Sequence, residues 1–96
     1  MPISHWYITV AAVRQYMAIC GIADSANTFD RAAVELENLA REARLARDVG
    51  PGQESQLWRV NATVRGRRTR LELIISLAPR EEGDLPQLIA VRNKGA

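Results

Sequence analysis

Apolar residues recur at three- and four-residue steps through the first half of the chain, then at two-residue steps further on. Val10, Val13, Met17 and Cys20 fall on one side of a helix over about residues 9–20, with Tyr16 at the border of that side. Thr9 is a good N-cap, and Ile8 and Val13 stand at the spacing of a hydrophobic staple. Gly21 suits the left-handed position that closes a helix, and Ile22 behind it can fold back on Met17. Upstream, HWYI at 5–8 reads as a short strand or as the entry to this helix.

A longer helix is predicted over about residues 28–49. Asn27 or Thr28 can cap it, and Asp30 puts negative charge near its positive end. Phe29, Ala33, Leu36, Ala40, Ala43 and Ala46 form its inner stripe, with Leu39 and Val49 alongside. Arg31, Glu35, Glu37, Arg41, Glu42 and Arg44 form a charged outer face. Within it, the (i, i+4) pairs Glu37–Arg41 and Arg44–Asp48 are worth about 0.2–0.5 kcal/mol each. Gly50 and Pro51 end the helix.

Beyond this point the period changes to two. Trp58, Val60, Ala62 and Val64 share one face of a strand over about 57–65. Thr69, Leu71, Leu73, Ile75 and Leu77 share one face of a strand over about 68–77. A two-residue turn at Gly66-Arg67, of type II′ because glycine comes first, joins them. That turn sets Val64 against Thr69, Ala62 against Leu71, Val60 against Leu73 and Trp58 against Ile75. Thr63–Arg70 and Asn61–Glu72 then lie on the other face, and a slip of one residue would destroy the match. On this register Arg65 and Arg68 oppose each other across the turn, and the repulsion weakens the hairpin.

Residues 87–92 form a further strand, antiparallel to the one before it. Leu88, Ile89, Ala90 and Val91 are apolar without alternation, which suggests burial on both faces or a strand end. The expected fold is α+β: two N-terminal helices packed on one face of a three- to four-stranded antiparallel sheet, in a single domain over 1–96.

Composition adds limits. Ninety-six residues with 47% hydrophobic and 25% charged positions fit one ordinary globular domain. The loose segments are 50–56, 79–84 and the tail from Arg92. A lone cysteine allows no internal disulfide and no cysteine-rich zinc site. No basic-then-apolar leader opens the chain and no stretch reaches the length of a membrane span, so a soluble, cytoplasmic protein is expected. Nothing calls for a metal or a cofactor.

Charge is uneven along the chain. Residues 1–56 hold five Arg against seven Asp/Glu, and residues 57–96 hold eight Lys/Arg against four Asp/Glu. Twelve of the thirteen basic residues are arginine, with Lys94 the exception. Arginine richness suits phosphate and carboxylate recognition, and is equally the mark of a GC-rich genome.

Arg59, Arg65, Arg67, Arg68 and Arg70 gather on and below the hairpin tip. They read either as a nucleic-acid grip or as a solvated turn that blunts a sheet edge. Bases stack on aromatic rings in single-strand binders, and the nearby Trp58 points to the core. His5, the only histidine, reads as a terminal surface residue or, in a cleft with arginines, an acid/base group. Cys20 reads as a small core residue rather than a reactive thiol. The His5-Trp6-Tyr7 segment plugs the core or offers an interaction surface.

The segment ITVAAVRQYMAICG at 8–21, a second helix, and RTRLELIIS at 68–76 follow in an order that resembles small toxin-related bacterial and phage proteins of the RelE/barnase-like RNase fold. The resemblance spans most of the chain and rests on layout. In that family the first helix opens with a His-Ala pair and carries an arginine one turn on. Here Ala11 stands in the histidine position, and Gln15 or, one step off, Arg14 in that of the arginine. The resemblance implies association with RNA or DNA, and metal-independent phosphodiester cleavage if there is catalysis. Arg14, Tyr16, Arg65 and Arg68 are the residues to test for it. Nucleic acid, a small antitoxin-like protein or a second copy of the chain are the expected partners. A non-catalytic interaction or homodimerisation module is the alternative.

Overall fold

A computed structural model describes residues 6–47, 55–77 and 86–95. In chain order it contains β1 (Tyr7–Ile8), α1 (Val10–Cys20), α2 (Ala26–Glu42), β2 (Arg44–Arg47), β3 (Ser55–Val64), β4 (Arg67–Ser76) and β5 (Gln87–Gly95). The strands form one sheet in the order β1-β5-β4-β3-β2. The α+β class is as expected, but the sheet has five strands and is mixed, because β1 runs parallel to β5.

The first helix follows its local signals. Thr9 Oγ1 accepts a hydrogen bond from Ala12 N at 3.2 Å and donates to Leu88 O at 2.8 Å, tying the cap to β5. Gly21 closes the helix at φ 70°, with its N–H on Ala18 O and that of Ile22 on Met17 O.

The second helix departs from expectation at both ends. Ser25, not Asn27 or Thr28, is its cap. Thr28 N–H donates to Ser25 Oγ, and Ser25 N–H donates to Thr28 Oγ1 at 2.9 Å, a reciprocal capping box. The helix ends at Glu42, because Ala43 is extended (φ −69°, ψ 150°) and Arg44–Arg47 pairs with β3. Ala46 therefore lies exposed on a strand, outside the helical stripe. Val49 and Asp48 lie outside the described residues, as do His5, 50–54 and 79–84. Ser55 and Gln56 belong to β3, and Arg92–Gly95 continue β5 instead of forming a loose tail.

The hairpin forms with its turn one residue earlier than expected. Arg65 (φ 53°) and Gly66 (φ 78°) are both left-handed, the requirement of a type I′ turn rather than II′. Val64 then opposes Arg67, Ala62 opposes Thr69, Val60 opposes Leu71 and Trp58 opposes Leu73. This register differs from the expected one by two residues. An even shift keeps every side chain on its face, so the buried side is the one the alternation indicates. It places Arg65 in the turn, so the expected Arg65–Arg68 opposition is absent. Arg68 faces Thr63, Arg70 faces Asn61, and Glu72 faces Arg59.

The missing alternation in β5 is a bulge, not burial on both faces. Ala90 pairs with Ile74 and Leu88 with Ile75, which leaves Ile89 as the extra residue, 38% exposed. Leu88 and Val91 consequently both point inward. Gln15 Oε1 accepts the Val91 N–H at 2.8 Å, linking α1 to the bulged strand.

One core lies between the helices and the inner sheet face. Ala12, Val13, Tyr16 and Met17 of α1 and Ala32, Leu36 and Ala40 of α2 cluster with Val60, Ala62, Val64, Leu71, Leu73, Ile75, Leu88 and Val91. Met17, Leu36, Leu71, Leu73, Ile75 and Leu88 are the largest fully buried side chains. Each contributes about 1.5–3 kcal/mol, against about 0–1 kcal/mol for an exposed ion pair. The core therefore holds the fold, and the opposite face of the sheet is free to carry charge. The rings of Trp6 and Trp58 meet edge to face at 4.9 Å beside this core. Among the described residues no helix is long and apolar enough to cross a membrane.

Candidate functional site

Both helices lie on one face of the sheet, and the other face gathers arginines. Pairing fixes which residues share it. Arg44 on β2 opposes Arg59 on β3, Arg59 opposes Glu72 on β4, and Glu72 opposes Arg92 on β5. These four residues form a straight transverse row across four strands. Two further positions along β4 from Glu72 stands Arg70, and two beyond that Arg68, both on the same face because successive side chains alternate. Arg47 joins it too, because it opposes Leu57.

Glu72 is the one carboxylate among the described residues of this face, and it is nearly buried, at 4% exposure. Its Oε2 lies 3.4 Å from Arg59 Nε and its Oε1 3.1 Å from Arg92 Nη2. Two guanidiniums from flanking strands thus close over a carboxylate on the central strand. The charge-assisted bonds satisfy both of its oxygens and hold the two arginines in place. Arg44, Arg47, Arg68 and Arg70 meet no carboxylate at ion-pair distance among the described residues. A shallow depression of about 260 Å³, lined by Arg47, Leu57, Ile74 and Arg92, lies beside the row.

The structure sorts the sequence-indicated arginines into three places. Arg59, Arg68 and Arg70 lie on the open face. Arg67 opposes the buried Val64 and so stands at the tip on the helix-bearing side. Arg65 folds back from the turn, and its guanidinium lies directly over Gly21, where an added Cβ would collide with it. There the cation meets the negative end of α1.

Arg14 and Tyr16 lie away from this face. Arg14 forms an exposed ion pair with Asp24 at 3.6 Å, at the rim of a cleft of about 520 Å³ between the starts of the two helices. Tyr16 is buried, and its hydroxyl donates to Glu35 Oε1 at 3.0 Å. Burial first, then the neighbouring Cys20 and Glu35, pushes its phenol far above the ordinary value. Burial likewise pushes the Cys20 thiol up, against the thiolate that a nucleophile needs. Arg14, Tyr16, Arg65 and Arg68 are thus not gathered around one point.

Arg44, Arg47 and Arg92 complete the open face, and sequence reasoning did not assign them to it. Arg44 and Arg47 fall where helical spacing continues. Arg92 keeps its side only because the bulge at Ile89 changes the alternation. A strand following a non-alternating apolar run was the available signal for Arg92. No family model, curated protein or solved structure matches this chain.

Proposed function

We propose that the open face of the sheet binds nucleic acid through its phosphates. The observation that supports this is the set Arg44, Arg47, Arg59, Arg68, Arg70 and Arg92 on one face that neither helix covers, with Glu72 as the lone carboxylate described there. A guanidinium fork matches phosphate geometry and sheds its hydration more readily than an ammonium. Concentrated on one face, such charges attract a polyanion and release its counterions on binding. A second copy of the chain would bring the same charge against itself and is disfavoured on this face.

Affinity for a labelled oligonucleotide, measured at two salt concentrations, tests the proposal. Replacing Arg68 and Arg70 by alanine should weaken binding and reduce the salt slope by about 0.7–0.9 for each phosphate deprived of its guanidinium. Replacing Arg31 and Arg41 on the helices should leave both unchanged. Equal effects from the two pairs, or no binding at low salt, would reject the open face as the site. Failure with nucleic acid but capture of an acidic, antitoxin-like protein would assign the face to protein recognition instead.

A further inference from the structure

We infer, on the basis of the nucleic-acid reading above, that the ligand of the open face is a duplex held through the phosphates of both strands. The first support is the shape of the charged area. The row Arg44–Arg59–Glu72–Arg92 crosses three inter-strand steps, about 14 Å at about 4.8 Å per step. Along the strands, the level of Arg47 (opposite Leu57) and that of Arg68 (opposite Thr63) are six residues apart, about 20 Å. The cations thus cover an area, whereas a single strand follows a line.

The position of Glu72 is the second support. It interrupts the row, with Arg44 and Arg59 on one side and Arg92 on the other. A duplex separates its phosphate rows by a groove about 6 or about 12 Å wide. The backbones of β3 and β5 lie about 10 Å apart and those of β2 and β5 about 14 Å. Arg44 and Arg92, at the two ends of the row, can therefore meet one phosphate row each, with the Arg59–Glu72 pair between them beneath the groove.

The rings provide the third support. Single strands are held by bases stacked on aromatic side chains. Trp6 and Trp58 are packed against each other beside the core, and Tyr16 is buried. Tyr7 is the one ring on the open face among the described residues, because it pairs with Gln87, which opposes Ser76. It stands on the edge strand, four positions along from the level of Glu72, and offers no track of rings.

Fluorescence anisotropy with a labelled duplex of about 20 base pairs and each of its separated strands, at about 50 and about 200 mM salt, tests the inference. The duplex should bind at least about tenfold more tightly than either strand at both salts, and Tyr7→Ala should change its affinity less than about twofold. A single strand bound as tightly as the duplex, or binding that depends on Tyr7, overturns the duplex assignment and leaves the phosphate reading standing. No binding of duplex or strand at the lower salt removes both.

Discussion

Arg44 and Arg59 stand directly opposite each other across the β2–β3 ladder, like charges on neighbouring strands. The carboxylate of their row, Glu72, is already bonded to Arg59 and Arg92. Opposed like charges weaken a sheet by about 0.2–1 kcal/mol, so this pair costs stability in the free protein. Arg44→Glu should therefore stabilise the protein against urea by about 0.5–1 kcal/mol at low ionic strength. The gain should shrink in high salt, where exposed charges are screened. The same substitution should weaken oligonucleotide binding. Lower stability together with unchanged binding would show that the Arg44–Arg59 opposition has neither effect.

The turn and the first helix are coupled through Gly21 and Arg65. Gly21 holds φ 70°, and the Arg65 guanidinium occupies the space a methyl group would need. Gly21→Ala should cost about 1–2 kcal/mol in urea unfolding, chiefly the strain of a left-handed conformation, with a smaller part from the Arg65 guanidinium, whose flexible end must swing away from the helix end. In an Arg65→Ala background the same change should cost less, because the obstructing group is gone. Additive effects of the two substitutions would mean the residues do not interact.

Alkali provides a separate test of the helix pair. The folded state keeps the Tyr16 phenol protonated well above its ordinary value of 10.0, mainly through burial. The unfolded chain then binds fewer protons than the folded one above that pH, so stability falls as pH rises. Tyr16 contributes its full stabilisation below about pH 10 and loses it progressively above. Tyr16→Phe should remove part of this alkaline loss while costing about 0.5–1.5 kcal/mol at neutral pH through the Glu35 bond. Identical alkaline unfolding curves for the two proteins would place the sensitivity elsewhere.

Local chemistry made much of this fold legible. Thr9 and Gly21 bound the first helix because a cap oxygen and a left-handed glycine act within a few residues. The inward face of the hairpin follows from alternation alone, and survives the two-residue difference in register. The register itself was not legible, because Gly66 satisfies either hairpin turn. The choice rests on Arg65 entering a left-handed conformation that few non-glycine residues adopt.

Tertiary pairing decided the rest. Ala43 and Ala46, with Arg44 and Asp48 at helical spacing, continue the pattern of α2, yet Arg44–Arg47 lies along the edge of β3. A two-residue strand such as β1 carries too little pattern to announce itself. The arginine face was consequently visible only in part. Arg59, Arg68 and Arg70 cluster in sequence, whereas Arg44, Arg47 and Arg92 join them through pairing of distant strands.

The most direct measurement is nuclear magnetic resonance of the arginine Nε–H groups during titration with a short duplex. The signals of Arg59, Arg70 and Arg92 should move together as the duplex is added, while those of Arg14 and Arg31 on the helices stay in place. Shifts confined to the helix arginines, or none at duplex concentrations that saturate binding, would contradict a nucleic-acid site on the open face of the sheet.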